Sequence, residues 1–444
     1  MISFMLSALQ SGSGKTMVTV TLLELLRRRG LKICSFKTGP DYIDTGFHRC
    51  VEGVETHNLD LFMSDEDIVK SIFAEACIGM DCAVIEGAMG FYDGLGGISE
   101  KASSYDVARA LRIPVIIVID AKGISFSVSA VLKSFAEFRR NANIVGFVLN
   151  RTTSMMAERM GDAISGETGL KYFGYIEEAD SLKIESRHLG LIRASENKEL
   201  IEGIKSLADK AAATVKLDEI VRACKYEEDI CYIRNISKEF DVKLCVARDK
   251  AFSFMYQESV ELFEKLGAEV EYVSFLDDVM LPGDCRGLYI PGGYPELYAK
   301  ELSDNRTMRE SVKQAIGSGL PVIAECGGFM YLQDSIVEDG IRYEMAGVYG
   351  GCAKRTKGLV RFGYVTMDDG KGNVINGHSF HHYDVESEHL GGDYLLTKPL
   401  NTRSWREAYR INGGYAGFPH LYPAGCVDFI RSFIESCEKY RPVF

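Results

Sequence analysis

The chain has 444 residues and a formal net charge of −12, from 63 acidic and 51 basic side chains. This acidic balance argues against a nucleic-acid partner, although a local basic pocket could still bind a small anionic substrate. A hydrophobic content of 46% is ample for buried cores, and with the length it predicts roughly two or three folded domains.

The sequence shows neither a membrane span nor a disulfide pattern. No apolar run is long enough to cross a bilayer, and the N-terminus lacks the basic start of a signal peptide. The twelve cysteines form no C-x-x-C pair and no framework spacing. We therefore expect a cytoplasmic protein with reduced thiols and no membrane partner.

A glycine-rich loop between a strand and a helix opens the chain. The apolar run Ile2–Ala8 predicts a buried strand, and apolar residues at helical spacing predict a helix over 17–29. The residues between them typical of a phosphate-binding loop are Ser11, Gly12, Ser13, Gly14, Lys15 and Thr16. Their backbone N–H groups and Lys15 would bind the phosphates of a nucleotide, and Thr16 would hold Mg²⁺. A turn that merely caps the helix is the alternative, because Leu9 stands where the full Walker pattern has a glycine.

Further apolar strands alternate with helical stretches through the first half. This alternation predicts a parallel sheet covered by helices on both faces, with ligands at the carboxyl ends of its strands. The predicted strands are 31–36, 83–85, 113–119 and 144–149. Asn150 and Arg151 follow the last of these, where they could contact a base or ribose, although Asn is equally common in turns.

Acidic residues follow two of these strands. Asp41 and Asp44 lie with Lys37 in a loop after the second strand, and Glu86 ends the third. Because Mg²⁺ prefers oxygen ligands, we predict that Thr16, Asp44 and Glu86 hold the metal beside bound phosphates. The alternative is that each acid only caps a turn or a helix.

The segment 195–240 changes in composition. It is charged and shows helical periodicity, which predicts one or two amphipathic helices. We interpret it as a solvated spacer without a catalytic part, and we predict domains over 1–194 and 241–444 on either side of this helical linker.

A second sheet is predicted from Val242 onward. Its strands are 242–247, 270–275 and 287–290, and the last of them leads into a Gly-Gly pair that includes Gly293. A fourth apolar strand runs into Cys326 and then Gly327, which is the pattern of a nucleophile elbow. The helix N-terminus behind the thiol favours the thiolate, and the N–H groups of Gly293 and Gly327 could form an oxyanion hole. A buried inert cysteine is the alternative reading.

A thiol nucleophile needs a base. His420 follows a Gly/aromatic strand late in the chain, and we predict that it serves Cys326. The other histidines of interest are His378, His381 and His382. A zinc site there lacks a cysteine or acid at ligand spacing, and half-buried residues of a strand are the alternative.

Several first-half segments together resemble the synthetase half of cobyrinic acid a,c-diamide synthases. These segments are 11–16, 37–44, 86–94 and 187–191. The resemblance implies a P-loop NTPase-like, dethiobiotin synthetase-like domain that binds ATP and Mg²⁺ and activates substrate carboxylates. The residues to which it gives substrate contact or activation are Lys37, Asp41, Tyr42 and Arg187, with Arg193 as a further contact. Ala8 stands where the family usually has a glycine, and 184–186 where a proline is usual.

The segments 291–296 and 325–328 resemble the class I glutamine amidotransferase domain that is fused to cobyrinate and cobyrate synthases. The fold class implied for the whole chain is α/β, with two doubly wound α/β domains. Most class I members orient the catalytic histidine with a glutamate two residues later, but Tyr422 stands there in this chain. We therefore expect a Cys–His dyad whose orienting group is not identified.

The two halves together predict a glutamine-dependent amidoligase. Amide formation from a carboxylate is uphill in water, so ATP is needed to activate the carboxylate. Ammonium is not nucleophilic, so a glutaminase is needed to release ammonia inside the protein. The resemblance implies cobyrinic acid as substrate, amidated on its a and c acetate side chains, and allows a homodimer. The alternatives are a nickel-sirohydrochlorin a,c-diamide synthase, a partition-type regulatory ATPase and an inactive glutaminase kept as a binding module. A partition-type ATPase would carry a signature lysine where this chain has Gln10.

Overall fold

The computed structural model describes residues 1–178, 198–228, 234–387, 391–401 and 403–442. It divides into two units, Met1–Arg234 and Asn235–Phe444. The predicted substrate contacts Arg187 and Arg193 lie outside the described residues. No helix in the described ranges has the length and apolar character that a bilayer crossing requires.

The first unit is built on a parallel sheet. Its strands are β1 Ile2–Ala8, β2 Ile33–Thr38, β3 Glu55–Leu59, β4 Cys82–Glu86, β5 Val115–Asp120, β6 Ile144–Thr152 and β7 Lys171–Glu177. They lie in the order β3-β2-β4-β1-β5-β6-β7, and every pair is parallel. Nearly every residue of β1, β2, β4 and β5 is buried, which requires cover on both faces of the sheet. The predicted parallel sheet is confirmed.

The helices of the first unit connect and cover these strands. They are α1 Lys15–Arg28, α2 Ile43–His48, α3 Glu66–Ala76, α4 Ser104–Leu111, α5 Val128–Glu137, α6 Ser154–Thr168, α7 Lys198–Ala211 and α8 Leu217–Ala223. A short 3₁₀ turn spans Leu95–Gly97.

Strand β3 has no counterpart in the sequence prediction. Its residues Thr56, His57 and Asn58 are polar, so hydrophobic patterning does not reveal it. The Thr56 hydroxyl is 2.8 Å from the Ser35 hydroxyl, and the Asn58 amide donates to the Gly39 carbonyl at 2.9 Å. These hydrogen bonds offset the cost of burying a polar strand.

The segment expected to be a solvated spacer differs from that expectation. The predicted helices are present as α7 and α8, but Leu200, Ile204 and Leu207 are buried in the same core as α1 and β1. Their recurrence at helical spacing forms an apolar stripe, and burying that stripe stabilises the helix. Residues 198–228 therefore belong to the first unit, and the units divide between Arg234 and Asn235.

The second unit combines a mainly parallel sheet with antiparallel strands. Its strands are β8 Val242–Ala247, β9 Phe252–Phe254, β10 Ala268–Val273, β11 Gly287–Ile290, β12 Gly292–Gly293, β13 Val322–Glu325, β14 Ser335–Glu338, β15 Ile341–Glu344, β16 Gly351–Arg355, β17 Gly363–Asp368, β18 Val374–Ser379, β19 Tyr383–Ser387, β20 Tyr394–Thr397, β21 Ser404–Glu407, β22 Tyr409–Ile411, β23 Gly414–Gly417 and β24 His420–Leu421. Its helices are α9 Gln257–Leu266, α10 Ala299–Asp304, α11 Arg306–Gly317, α12 Gly327–Tyr331 and α13 Val427–Lys439.

The main sheet of this unit has the order β10-β8-β11-β13-β23-β22. Its pairs are parallel except for the terminal β22–β23 pair. The other sheets are β15-β14-β16-β19, β21-β20-β17-β18-β24 and the short pair β12-β9. Strand β13 is central and ends at the predicted nucleophile, so the carboxyl edge of the main sheet carries the candidate site.

Candidate active sites

The loop between β1 and α1 has the backbone of a phosphate cradle. Gly12 and Gly14 have φ of 77° and 82°, in the left-handed region that favours glycine. A Cβ at Gly14 would lie 2.2 Å from Nδ2 of Asn150, so a side chain there would also clash. Helix α1 begins directly afterwards, which points its free N–H groups toward the loop.

Asn150 and Arg151 brace this loop from the end of β6. The Asn150 amide donates to the Ser13 carbonyl at 3.0 Å, and the Arg151 guanidinium donates to the Gly12 carbonyl at 2.7 Å. Arg151 is also paired with Asp120. These contacts with the loop backbone differ from the contact with a base or ribose, and from the turn, that the sequence allows for the two residues.

Lys15 extends from the first turn of α1 toward the loop that follows β4. Its ammonium donates to the Met89 carbonyl. Burial and the nearby charge of Lys37 lower the pKa of Lys15 to about 8, although Glu86 opposes the shift. A cation that has lost this much hydration gains strongly from an anionic ligand.

The three predicted metal ligands meet at one point on the sheet edge. The Thr16 hydroxyl donates to Asp44 Oδ1 at 3.2 Å and to Glu86 Oε1 at 2.7 Å. The Lys37 ammonium lies 2.5 Å from Asp44 Oδ2 and 2.9 Å from Glu86 Oε1. A hydroxyl and two carboxylates are a donor set that suits Mg²⁺, so the residues present fit that ion.

Opposite charges hold Glu86 and Lys37 of this buried cluster in their ionised forms. Burial would raise the pKa of Glu86, but Lys37 and His48 bring it well below its usual range. Burial would lower the pKa of Lys37, but Glu86 and Asp44 raise it above its usual value. For Asp44 burial prevails and raises the pKa to about 8, although Lys37 opposes the shift. The groups that balance one another as ions are therefore Glu86 and Lys37, and a cation bound here would lower the pKa of Asp44.

His48 was not found from the sequence. It is fully buried, with Nε2 at 2.7 Å from Glu86 Oε2 and Nδ1 at 3.2 Å from the Ser35 hydroxyl. His48 follows Asp44 by four residues on α2, and that spacing places both side chains on one helix face. The spacing was the available signal, since Asp44 was already a candidate.

The remaining residues of this loop have more local surroundings. Asp41 Oδ1 accepts from the amides of Ile43 and Asp44 at 2.9 and 3.0 Å, so its carboxylate caps the start of α2. Tyr42 lies directly before α2 and is half-buried. Arg187, which is predicted with Asp41 and Tyr42 to contact the substrate, lies outside the described residues.

Cys326 occupies a sharp turn between β13 and α12. Its φ of 49° with ψ of −104° is an unusual backbone conformation for a residue that is not glycine, and it is a source of strain. The Cys326 amide donates to the Gly417 carbonyl at 2.8 Å, which ties the turn to β23. The side chain is 6% exposed. This is the geometry that the nucleophile-elbow pattern predicts.

The two predicted oxyanion-hole glycines lie side by side. A Cβ at Gly327 would be 3.0 Å from the Gly293 nitrogen and 2.8 Å from Cδ of Pro295. A Cβ at Gly293 would overlap the Ala251 carbonyl, at 1.9 Å. Both positions therefore need glycine for close backbone approach, beside the predicted nucleophile.

His420 lies against the same glycine turn. A Cβ at Gly292 would be 2.2 Å from Cε1 of the His420 ring. The ring interacts with Cys326, and its Nδ1 lies 3.5 Å from Glu325 Oε2. Burial alone would lower the pKa of His420, but Cys326 and Glu325 raise it to about 10. The structure thus brings the predicted base to the predicted nucleophile.

The other three predicted histidines differ in their surroundings: His378 is a buried residue of β18, His381 is buried just before β19, and His382 is exposed. His378 pairs with His420 in the β18–β24 register, and burial lowers its pKa to about 3. His381 stacks on Phe418 with ring centroids 3.9 Å apart, and burial lowers its pKa to about 4. The described residues contain no group of three or more side chains suited to hold a metal ion. His378 therefore lies in a strand, whereas His381 and His382 lie outside the strands in which the alternative placed them.

Taken together, the nucleotide loop with its carboxylate cluster and the thiol elbow with its histidine define a glutamine-dependent amide ligase. The profile of the CobQ/CobB/MinD/ParA nucleotide binding domain matches residues 4–192, and that of the CobB/CobQ-like glutamine amidotransferase domain matches residues 243–396. The chain belongs to the cobyrinate a,c-diamide synthase family, as its relatives show.

The curated relatives align over nearly the whole chain. The cobyrinate a,c-diamide synthase of Caldanaerobacter subterraneus subsp. tengcongensis is 35% identical over 98% of this chain and 98% of its own. That of Listeria innocua is 36% identical over 95% of this chain and 96% of its own. Among solved structures, the MinD cell division protein of Aquifex aeolicus aligns at a TM-score of 0.31 with 14% identity, over 47% of this chain and 97% of its own. That likeness is too low to add to the assignment.

Proposed function

We propose that this chain amidates the a and c acetate carboxylates of cobyrinic acid in cobalamin biosynthesis, with ATP and Mg²⁺ for activation and glutamine as the nitrogen donor. The observation that carries the proposal is that one chain holds both a phosphate loop beside buried carboxylates and a thiol elbow beside a histidine. Either site alone fits many reactions. A reaction that needs both is the ATP-driven transfer of glutamine nitrogen to a carboxylate.

In the first unit, we assign phosphate binding to Ser11–Thr16. Mg²⁺ would be held by Thr16, Asp44 and Glu86, where it would neutralise charge on the phosphates. The Lys37 ammonium contacts both of these carboxylates, so we place Lys37 in the activation cluster. The substrate carboxylate takes the γ-phosphoryl group to give an acyl phosphate and ADP, and ammonia then displaces phosphate to give the amide. Asp41, Tyr42 and Arg187 remain predicted contacts of the substrate.

In the second unit, we assign nucleophilic attack on the glutamine amide to Cys326. His420 gives a proton to the departing ammonia and takes one from the water that hydrolyses the thioester to glutamate. The N–H groups of Gly293 and Gly327 would stabilise the oxyanion of each tetrahedral intermediate. Their adjacency and the approach of His420 to Gly292 support this assignment.

The test is mass spectrometry of cobyrinic acid after incubation with protein, ATP, Mg²⁺ and glutamine labelled with ¹⁵N at its amide. We expect two labelled amides, their loss in Cys326→Ala, and recovery of amidation in that variant when free ammonia is supplied. Amidation of nickel-sirohydrochlorin in place of cobyrinic acid would keep the chemistry and overturn the substrate. ATP turnover that ignores both glutamine and substrate would overturn the amidoligase and favour a regulatory ATPase.

Two further expectations belong with this proposal. We place the protein in the cytoplasm, in agreement with the free thiols of the eleven cysteines in the described ranges. A homodimer stays an open alternative to a monomer, and light scattering of the purified protein would distinguish the two by molecular mass.

A further inference from the structure

The position that usually orients the histidine of a class I glutaminase holds no acid in this chain. Tyr422 stands there, and its buried ring packs edge-on against Tyr256 with centroids 5.0 Å apart. A phenol at neutral pH carries no charge to stabilise an imidazolium. If His420 is oriented by an acid, that acid must come from elsewhere in the domain.

We propose that Glu325, the residue directly before the nucleophilic cysteine, positions His420 for glutamine hydrolysis. The inference rests on the proposed glutaminase function and adds the group that completes its site. Glu325 ends strand β13 and is 1% exposed, and its Oε2 lies 3.5 Å from Nδ1 of His420. That separation is long for a hydrogen bond, as catalytic hydrogen bonds often are before substrate binds.

The carboxylate of Glu325 is itself held in place from two directions. The Tyr289 hydroxyl donates to Oε2 at 3.2 Å, and the amide of Leu421 donates to Oε1 at 3.2 Å. Because Leu421 follows His420 in the chain, one carboxylate fixes both the backbone and the ring of the base. Two donors fix the orientation of this buried carboxylate, which is what a positioning acid requires.

Strand geometry explains how neighbouring residues can serve opposite sides of one histidine. Glu325 is the last strand residue, and the turn at Cys326 sends the thiol away from the strand direction. Since Nδ1 faces Glu325, Nε2 is left for Cys326. In this arrangement, the ring keeps its proton on Nδ1, beside Glu325, and its Nε2 exchanges protons with the reacting groups, as in other nucleophile–histidine–acid sites.

The groups around His420 in the described part of the chain differ in charge. The titratable residues that act on it are Cys326 and Glu325, and His378 and His381 lie near enough to be affected by its charge. Burial keeps both of those histidines neutral at physiological pH, as their lowered pKa values show. Within the described residues, Glu325 is the acid at ion-pair distance from the ring.

The experiment compares Glu325→Gln, Glu325→Asp and the control Asp369→Asn. Asp369 is another buried carboxylate of the domain, but it bonds to amides of its own turn at Lys371 and Asn373. Glutaminase activity is measured against pH, and amidation with free ammonia is measured alongside it. The full-length protein is used throughout, and only the source of nitrogen changes between the two assays.

We expect Glu325→Gln to reduce kcat for glutamine hydrolysis by up to about 10⁴-fold with little change in KM, since neutralising the acid of a Ser-His-Asp triad has that effect. Removing a negative charge beside His420 lowers the pKa of its imidazolium, so the alkaline limb of the pH profile moves to lower pH. Glu325→Asp should recover part of the rate, and Asp369→Asn should keep both the rate and the profile. Amidation with free ammonia should persist in Glu325→Gln.

Wild-type kcat and an unshifted pH profile in Glu325→Gln would overturn the inference while leaving the glutaminase itself intact. An unsubstituted protein without glutaminase activity would instead refute the proposed function, and the inference with it. If Glu325→Gln loses amidation with ammonia as well, the variant is misfolded, and the role of Glu325 is then tested by a measurement on the unsubstituted protein. In ¹⁵N-histidine NMR, the His420 signal, assigned through His420→Asn, should show a protonated Nδ1 across the active pH range. A neutral ring with its proton on Nε2 would overturn the proposal.

Discussion

Replacing Ile204 of α7 by alanine tests whether this helix is part of the first domain core. Ile204 is 2% exposed and lies in the core that includes α1 and β1. The substitution removes three carbon atoms, worth about 2.4 kcal/mol of lost burial at about 0.8 kcal/mol each. The cavity left behind adds to this loss, so we expect about 3 kcal/mol, or roughly a hundredfold in the opening equilibrium.

Native-state hydrogen exchange read by mass spectrometry measures this effect domain by domain. Peptides of β1 and α1 in Ile204→Ala should exchange about a hundredfold faster, while peptides around Trp405 in the second unit should not change. Glu202→Ala is the matched control, because Glu202 is exposed on the same helix. If the two variants exchange alike, α7 does not contribute to the core and the spacer interpretation would be restored.

Three further predictions concern the two sites. Gly14→Ala imposes about 1–2 kcal/mol of backbone strain and a clash with Asn150. The affinity for a fluorescent ATP analogue, measured by titration, should therefore fall at least about tenfold. An unchanged affinity would contradict the assignment of this loop to phosphate binding. Gly292→Ala pushes the ring of His420 aside, so glutamine-dependent amidation should fall about 10²-fold while ammonia-dependent amidation is kept. Equal loss of both activities would refute a selective effect on the glutaminase site. His48→Gln weakens the contact that holds Glu86 in the buried carboxylate cluster. Ammonia-dependent amidation should therefore fall about 10- to 100-fold, with glutaminase activity unchanged. A normal amidation rate would show that His48 has a purely structural role.

The features that could be predicted from the sequence are those written in a few consecutive residues. The phosphate loop follows from glycines between an apolar strand and a helix, and the elbow at Cys326 follows from the same order of elements. Parallel strands buried on both faces are visible as continuous apolar runs. Each of these patterns is local, so no knowledge of the rest of the fold is needed to recognise it.

The features that could not be predicted depend on contacts between distant parts of the chain. The polar side chains of β3 are buried because they form hydrogen bonds with β2 and with the loop after it. Nothing in the local sequence indicates that such residues are buried. The spacer interpretation of residues 195–240 failed for a related reason. An amphipathic helix shows that it has an apolar face, but not which surface covers that face.

The two buried glutamates show a rule that applies to both domains. Glu86 ends β4 and Glu325 ends β13, and each follows apolar residues of a central parallel strand. Leaving an unpaired carboxylate there would cost several kcal/mol, so such a glutamate is retained only where partners neutralise or use its charge. Each is in fact met by a histidine: His48 lies 2.7 Å from Glu86, and His420 lies 3.5 Å from Glu325. The pattern that predicts Glu86 as a site residue, a glutamate at the end of an apolar strand, therefore occurs at Glu325 as well.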